Sequence, residues 1–434
     1  MIQKRLRSKL EKQGIRGPSP SSIFLGNIPE MKRMVKLEVM KSKDRHLSIA
    51  HEWPSKLFPY LLQWRNEYGT NFTYLSGSIQ QLAVTDLEMV KEVSLCTSLN
   101  LGKPGYVSKD RKSLFGQGII AANGPIWYHQ RKIIAPEFYF DRVKGMVELM
   151  VDCTTIMLRS WESKIEGEGG IAVFGVDEDL RSLSADIISR TSFGSNYSQG
   201  KEIFLKLRTL QKSCTRDTLG FQVQEKEIHS MILRVAKQRS AEATYEKDLL
   251  QMIIEGAKNY GDTDNLFSGI SQDNFIVDNC KSIYFAGHET TAITASWSLM
   301  LLAAYPEWQA RARAEILGIC MDRIPDADML RSIEYANNKG ILSNRNPIEH
   351  TQSLYIICHN DLNMVIQETL RLYAPSMFVG REALDDIELN GILIPKGTNI
   401  QIPIPILHRL PDIWGLMPLT SIRKDLSMEF LGLA

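Results

Sequence analysis

A mainly α-helical fold with a small β region is the architecture this sequence predicts, and three observations predict it. The segment from Phe275 to Tyr305 is apolar on nearly every face and holds no proline before Pro306, so it reads as a helix buried through the middle of a large domain. From Val143 to Phe275 the pattern is mostly helical, interrupted only by polar breaks such as the loop Asn259 to Asp264. Short apolar runs flank the Ser76-Gly77-Ser78 turn and the Asn390-Gly391 pair, and these read as strands.

Composition then bounds the function. The chain has 434 residues, enough to bury a large core, and a net charge of only +1, which gives no argument for nucleic acid or acidic partners. Six cysteines at positions 96, 153, 214, 280, 320 and 358 are scattered without close pairs, which points to a reducing compartment and to neither a zinc site nor a disulfide scaffold. No apolar run reaches the ~18 residues that a membrane-spanning helix needs.

Taken in order, residues 1–30 open with Lys4, Arg5, Arg7 and Lys9 and continue through Gly14-Ile15-Arg16-Gly17-Pro18-Ser19-Pro20. A basic cluster and then a Pro/Gly hinge is the pattern found on the cytoplasmic side of a membrane anchor, so this stretch is expected to be a post-anchor linker whose anchor is absent. Phe72 to Leu75 and Gln81 to Val84 form a hairpin by pattern. The Gly-rich loop from Leu101 to Gly124 completes no phosphate fingerprint and reads as a cover. In the next helix Trp127 and Arg131 lie four apart, placing an indole N–H and a guanidinium on one face, a pair suited to carboxylates.

The central segment carries Ser282 to Thr291, in which a glycine, a histidine, a carboxylate and two hydroxyls sit where a buried helix should avoid them. A mid-helix glycine costs roughly 1 kcal/mol relative to alanine, and a buried carboxylate costs more unless it is paired or faces water. Gly287 removes a side chain, so a flat ligand can approach; Thr290 can bond back to an upstream carbonyl; Glu289 can relay protons. A His-Glu-x-x-His zinc pair is excluded, since position 292 is Ala.

Beyond Pro306, Glu307 to Gly318 reads as a helix and Ile324 to Ile333 as loop plus helix. Residues 334–361 lose the helical period and gain Asn, Ile, Tyr and Lys. Asn363 to Tyr373 is again helical, with Glu368 and Arg371 three apart and able to pair. Ile387 to Ile400 reads as strands around Asn390-Gly391 and Pro395-Lys396-Gly397.

Ala286 to Thr291 resembles, without a mismatch, the oxygen-binding motif Ala/Gly-Gly-x-Asp/Glu-Thr-Thr/Ser of the cytochrome P450 family. Glu368-x-x-Arg371, followed by Leu372, Tyr373 and Pro375, is similar to that family's Glu-x-x-Arg lock. His408 to Gly415 resembles its His-Arg-Asp-Pro-x-x-Trp-Gly, with Leu410 in place of the Asp. The resemblance covers about residues 14–333 and 363–415, and is nearest to plant members that oxidise hydrophobic hormones and terpenoids, the gibberellin-modifying group among them. It implies the cytochrome P450 fold and a haem-dependent monooxygenase that inserts one oxygen atom of O2 into a hydrophobic small molecule. By the same resemblance Glu289 and Thr290 deliver protons to dioxygen, Gly287 lets the haem come close, and Trp127, Arg131 and Arg381 hold its propionates. Glu368 and Arg371 brace the loop that carries the iron ligand. An NADPH-dependent flavoprotein reductase supplies electrons, and the family sits on the cytosolic face of the endoplasmic reticulum membrane.

One element of that pattern is missing. The family's iron ligand is a cysteine thiolate in a Phe-x-x-Gly-x-x-x-Cys-x-Gly loop downstream of the lock, and the last cysteine here is Cys358, upstream of Arg371. No metal ligand can therefore be assigned. From Leu416 onward the resemblance stops; restoring one base after Gly415 and reading the other frame yields Pro-Asp-Ala-x-(Asp/Asn)-Phe-x-Pro-Glu-Arg-Phe, the family's next segment. Residues 31–415 are thus expected to form a P450-like domain, interrupted by an intron-like insertion at 334–361 and followed by an out-of-frame tail at 416–434. Two readings stand: a haem-thiolate monooxygenase, or a non-catalytic relic or erroneous gene model that lacks the ligand.

Overall fold

Strand pairing between distant parts of the chain organises the first of two units in this computed structural model, which describes residues 2–42, 51–110, 112–194, 197–213, 219–241, 248–258, 270–321, 323–331 and 361–414. The first unit comprises Met1–Gly105 with Glu368–Ala434, and the second Tyr106–Gln367. The expected loop Asn259 to Asp264 and tail 416–434 lie outside the described residues, as does the expected insertion except for Asp361.

In the first unit, helices α1 (Ile2–Glu11) and α2 (Ile28–Ser42) precede strands β1 (Asn71–Ser76) and β2 (Ile79–Val84), which form the expected hairpin. β3 (Leu101–Gly102), β4 (Phe378–Ala383), β5 (Ile387–Leu389), β6 (Ile392–Ile394) and β7 (Asn399–Pro403) follow. The five-stranded sheet runs β1-β2-β7-β4-β3, with β2 and β7 parallel and the other pairs antiparallel. β5 and β6 form a separate hairpin on Asn390-Gly391, whose φ values of 50° and 71° suit the primed two-residue turn that this dipeptide favours. Trp64, Tyr74, Leu82, Val90, Ile400 and Ile402 belong to the apolar core of this unit.

Residues 1–30 do not behave as a free linker. Leu10 and Ile15 are buried in that same core. The chain then runs along β1: Thr73 N donates to Arg16 O (3.0 Å), Asn27 N donates to Leu75 O (2.8 Å), and Leu75 N donates to Asn27 Oδ1 (2.9 Å). A Cβ on Gly17 would stand 1.7 Å from Thr73 O, so only glycine admits this approach. The stretch expected to be a hinge instead covers a sheet edge that would otherwise expose unpaired backbone.

The second unit is helical. Its main elements for function are α3 (Gly124–Ile134), α4 (Val176–Phe193), α5 (Tyr197–Ser213) and α6 (Gln272–Ala304). α6 begins three residues ahead of the expected Phe275, because Ser271 caps it by accepting from Asn274 N at 3.2 Å. It stops where expected, since Pro306 opens the following helix, Pro306–Cys320, at its first position. Its burial differs from the expectation of an all-round buried helix. Phe275 to Tyr284 are buried on every face, but Ala286, Thr290, Thr291, Leu299 and Met300 are exposed, so the polar residues fall where one face of the helix is open. Helix α7 (Asp361–Leu372) carries the division between the two units within it. Among the described residues no helix is long and apolar enough to cross a membrane.

Candidate functional site

Two helices build the polar stretch of α6. Arg181, Ser184 and Ile188 recur at helical spacing on α4 and all three meet α6 between Gly287 and Glu289. Ser184 Oγ donates to the carbonyls of Gly287 (3.2 Å) and His288 (3.1 Å). The Arg181 guanidinium pairs with the Glu289 carboxylate and also holds Asp177 Oδ2 at 2.9 Å. The buried carboxylate that the sequence left unexplained thus has its cation.

Gly287 requires a correction. A Cβ there would stand 2.7 Å from Ile188 Cδ1 and 3.0 Å from Ile188 Cγ1, so its missing side chain lets α4 pack close. The expected approach of a flat ligand to that position meets Ile188. The exposed face is that of Ala286 and Thr290, one turn apart, and there the Thr290 hydroxyl donates to Ala286 O at 2.7 Å. This is the back-bonding expected of Thr290, made within a helix that stays continuous through that turn.

His288 lies on the opposite side from Thr290. Its ring is buried edge-on against Phe204 of α5, with centroids 4.1 Å apart. Burial pulls its pKa down to about 4, against the opposing pull of Glu289, whose Oε1 lies 3.5 Å from His288 Nδ1. The imidazole is therefore neutral near pH 7. Leu114, Phe115, Phe204, Lys281, His288 and Glu289 are among the residues around a cavity of about 20 Å³, little more than the space of one water. Buried Lys281 reaches Asp278 Oδ1 at 3.2 Å.

The Gly-rich loop expected to act as a cover is pinned to α6. Gln117 N donates to Asp278 Oδ2 (2.8 Å) and Ile119 N to Asn279 Oδ1 (3.0 Å). A Cβ on Gly118 would fall 2.2 Å from Asp278 O and 2.3 Å from Ser282 Oγ, which explains the glycine. Phe115 meets Phe285 edge-to-face at 4.8 Å. On α3, Trp127 and Arg131 do share a face, with Arg131 Cζ 5.6 Å from the indole ring centre. Arg131 is exposed and forms no ion pair among the described residues.

The remaining expected residues belong to the first unit. Arg381, in β4, is half-buried, and burial lowers its pKa from the ordinary arginine value; it forms no ion pair with a carboxylate among the described residues. Such a cation suits an anionic group. Glu368 and Arg371 form the expected pair, both buried, with Arg371 Nε donating to Glu368 Oε2 at 2.7 Å and Nη2 to Oε1. Arg371 Nη1 donates further to His408 O (3.0 Å), and its guanidinium lies 5.2 Å from the Trp414 ring centre.

For a haem, Arg131 in the second unit and Arg381 in the first are each cations without a carboxylate partner among the described residues, and no described cysteine fits the iron ligand. Cys153, Cys280 and Cys320 are buried, Cys96 is half-buried, and burial pushes the Cys280 thiol up to about 12, far from a thiolate. Among the described residues no group of histidines, cysteines and carboxylates could hold a metal ion. Sequence reasoning missed Arg181, Ser184 and Ile188, although their spacing on one helix face was available to it.

Comparison with known proteins adds the family. A family model described as cytochrome P450 matches residues 46–218, 220–339 and 361–418. Cytochrome P450 714C2 of Oryza sativa subsp. japonica is 47% identical over 432 residues, spanning 95% of this chain and 77% of its own length. Cytochrome P450 714A2 of Arabidopsis thaliana is 41% identical over 441 residues, with 95% and 77% covered. Cytochrome P450 714B3 of Zea mays is 40% identical over 434 residues, with 96% and 76% covered.

Proposed function

Because the chain belongs to the cytochrome P450 family, we propose that it is built as a haem-dependent monooxygenase acting on a hydrophobic terpenoid or hormone-like molecule, with electrons from an NADPH-dependent flavoprotein reductase at the endoplasmic reticulum membrane. One observation carries this reading: the open face of α6 presents the Thr290 hydroxyl beside Ala286, while the adjacent Glu289 is held by Arg181. A hydroxyl and a carboxylate in sequence can hold and pass a proton, and Arg181 sets where that carboxylate points. Trp127, Arg131 and Arg381 would hold the propionates. The haem would supply oxygen activation and the redox chemistry.

A specific observation favours a second reading for this 434-residue chain. It contains no cysteine after Cys358, so the ligand that the family places downstream of the lock is not among its residues, and no step is routed through the haem here. The family match breaks off at residue 339 and resumes at 361, across the stretch expected to be an insertion. On this reading the sequence, with its family match interrupted between 339 and 361, is the product of an erroneous gene model.

Carbon monoxide difference spectra of the reduced, haem-reconstituted protein separate the two. The 434-residue chain is expected to give no thiolate-type Soret band, and a stable band of that type would overturn the second reading. A chimera carrying the C-terminal segment of the Oryza sativa relative is expected to give the band and to oxidise diterpenoids with a reductase and NADPH. A chimera that shows the band and consumes NADPH without oxidising any terpenoid offered would overturn the proposed substrate class.

A further inference from the structure

The stretch that joins the helix Val147–Gly167 to α4 displays the most exposed large apolar side chains of the second unit. Ile171 is 83% exposed and Val173 84%. From Ile171 to Gly175 the chain runs without bend or turn, and its exposure alternates. Ile171, Val173 and Gly175 face out, while Ala172 and Phe174 are partly covered. A period of two is that of a β-strand, yet among the described residues no strand pairs with this stretch.

It is held from its inner side. Phe174 packs on Trp161 with ring centres 5.3 Å apart, and Trp161 Nε1 donates to Asp179 Oδ2 at 2.8 Å. Lys164 Nζ lies 4.9 Å from the Phe174 ring centre and donates to Val173 O at 2.6 Å. Gly169 and Gly170, at φ +80° and +101°, lead the chain out of the preceding helix, and Gly170 N donates to Ile165 O at 2.8 Å. In an extended chain the N–H and C=O of one residue point to one edge, and those of the next residue to the other. Lys164 occupies the edge of Ile171 and Val173. On the opposite edge the backbone N–H and C=O groups of Ala172 and Phe174 have no partner among the described residues. Such an edge is a template for an added strand.

Charge selects what can be added. Residues 162–179 hold six carboxylates against one lysine, a net charge of −5 in a chain whose total is +1. Asp177 and Glu178 are held by Arg181 and Arg208, but Glu162, Glu166 and Asp179 meet no cation among the described residues. A second copy of the chain fits poorly. Antiparallel pairing about Val173 would bring Glu166 and Glu168 of each copy toward Asp177 and Glu178 of the other.

We propose that residues 171–174 are a docking edge for a basic, extended segment of another protein, which adds as a strand along Ala172 and Phe174. Apolar side chains at its alternate positions cover Ile171 and Val173, and lysines or arginines at its ends meet the carboxylates on either side. The contact uses no haem chemistry, so it stands or falls separately from the proposed oxidation.

The test is fluorescence anisotropy of a labelled peptide, Lys-Lys-Val-Thr-Val-Thr-Val-Lys-Lys, titrated with the full chain beside a control peptide with Glu in place of each Lys. The lysine-flanked peptide is expected to bind and to be released as salt rises, and the control to remain free. Ile171→Ser/Val173→Ser should weaken binding by roughly tenfold or more, since two apolar contacts are lost. Glu166→Gln/Glu168→Gln should weaken it as well. These four side chains are exposed, and unchanged melting curves would confirm that the variants fold. Hydrogen exchange resolved to single amides gives a second measurement, in which bound peptide should protect Ala172 and Phe174. No binding of the lysine-flanked peptide, equal binding of the control, binding untouched by Ile171→Ser/Val173→Ser, or protection that spares Ala172 and Phe174 would overturn the proposal. So would a dimer that Ile171→Ser/Val173→Ser dissolves, which would make a second copy of the chain the occupant.

Discussion

Arg181 and Glu289 meet across the contact of α4 with α6, each side chain only 16% exposed, and the same guanidinium reaches back to Asp177. Glu289 is therefore tethered to a neighbouring helix. Removing the cation leaves a largely buried carboxylate without its partner. Arg181→Gln is expected to destabilise the second unit by about 2 kcal/mol, at the low end for a broken buried pair because Glu289 retains some solvent. Urea unfolding checks this, and Arg181→Lys should recover part of the loss. No change for Arg181→Gln would mean that water already satisfies Glu289.

Two glycines are expected to resist substitution to different degrees. At Gly118 a Cβ would strike the backbone oxygen of Asp278, which cannot move without disturbing α6, so Gly118→Ala should cost ~2 kcal/mol or more. At Gly287 the obstacle is the end of the Ile188 side chain, which can give way, and alanine also returns up to ~1 kcal/mol of helix propensity. Gly287→Ala should therefore cost ~1 kcal/mol at most. Pairing it with Ile188→Val should erase that cost, and a double-mutant cycle in urea shows whether the two positions couple.

Stability should fall as the solution is acidified from pH 6.5 toward 4. Burial holds His288 and His408 at about 4, whereas an unfolded histidine titrates near 6.5. Between those values the unfolded chain binds the protons that the folded chain refuses. The contribution of each ring is thus complete above pH 6.5 and is lost as pH falls toward 4, by up to ~3 kcal/mol. His288→Gln should flatten part of this slope in unfolding free energies measured at successive pH values. A slope unchanged in His288→Gln would show that the ring is accessible to protons in the folded state.

Much of the architecture was legible because its signals are local. The Asn390-Gly391 turn, the proline that stops α6 and the i, i+3 pairing of Glu368 with Arg371 each depend on residues within one element. What the sequence concealed depends on a second element. Gly287 looked like an opening for a ligand because nothing in α6 announces Ile188, some hundred residues earlier. Glu289 looked like an unpaired buried charge for the same reason, with Arg181 on α4. The apolar stretch of α6 predicted burial throughout, but hydropathy cannot tell which apolar face has a neighbour, and Leu299 and Met300 are exposed. The hinge-like composition of residues 14–20 likewise gave no sign of β1, whose Thr73 N–H donates to the Arg16 carbonyl.

The Glu368–Arg371 pair allows the sharpest test of what the lock contributes in this chain. Glu368 is fully buried, and its two oxygens accept from one guanidinium, so Arg371→Ala would leave an uncompensated charge in the core at a cost of about 3–5 kcal/mol. Arg371 also donates to His408 O and lies beside the Trp414 ring, so part of that loss reflects the unsatisfied carbonyl and the lost packing. Glu368→Leu combined with Arg371→Met removes both charges and keeps the volume. If the cost of Arg371→Ala is mainly the stranded carboxylate, the double variant should regain most of it, leaving a deficit of ~1 kcal/mol for His408 O. A double variant as unstable as Arg371→Ala would place the loss in the contacts to His408 and Trp414 instead. The arginine would then act chiefly as a brace on residues 408–414.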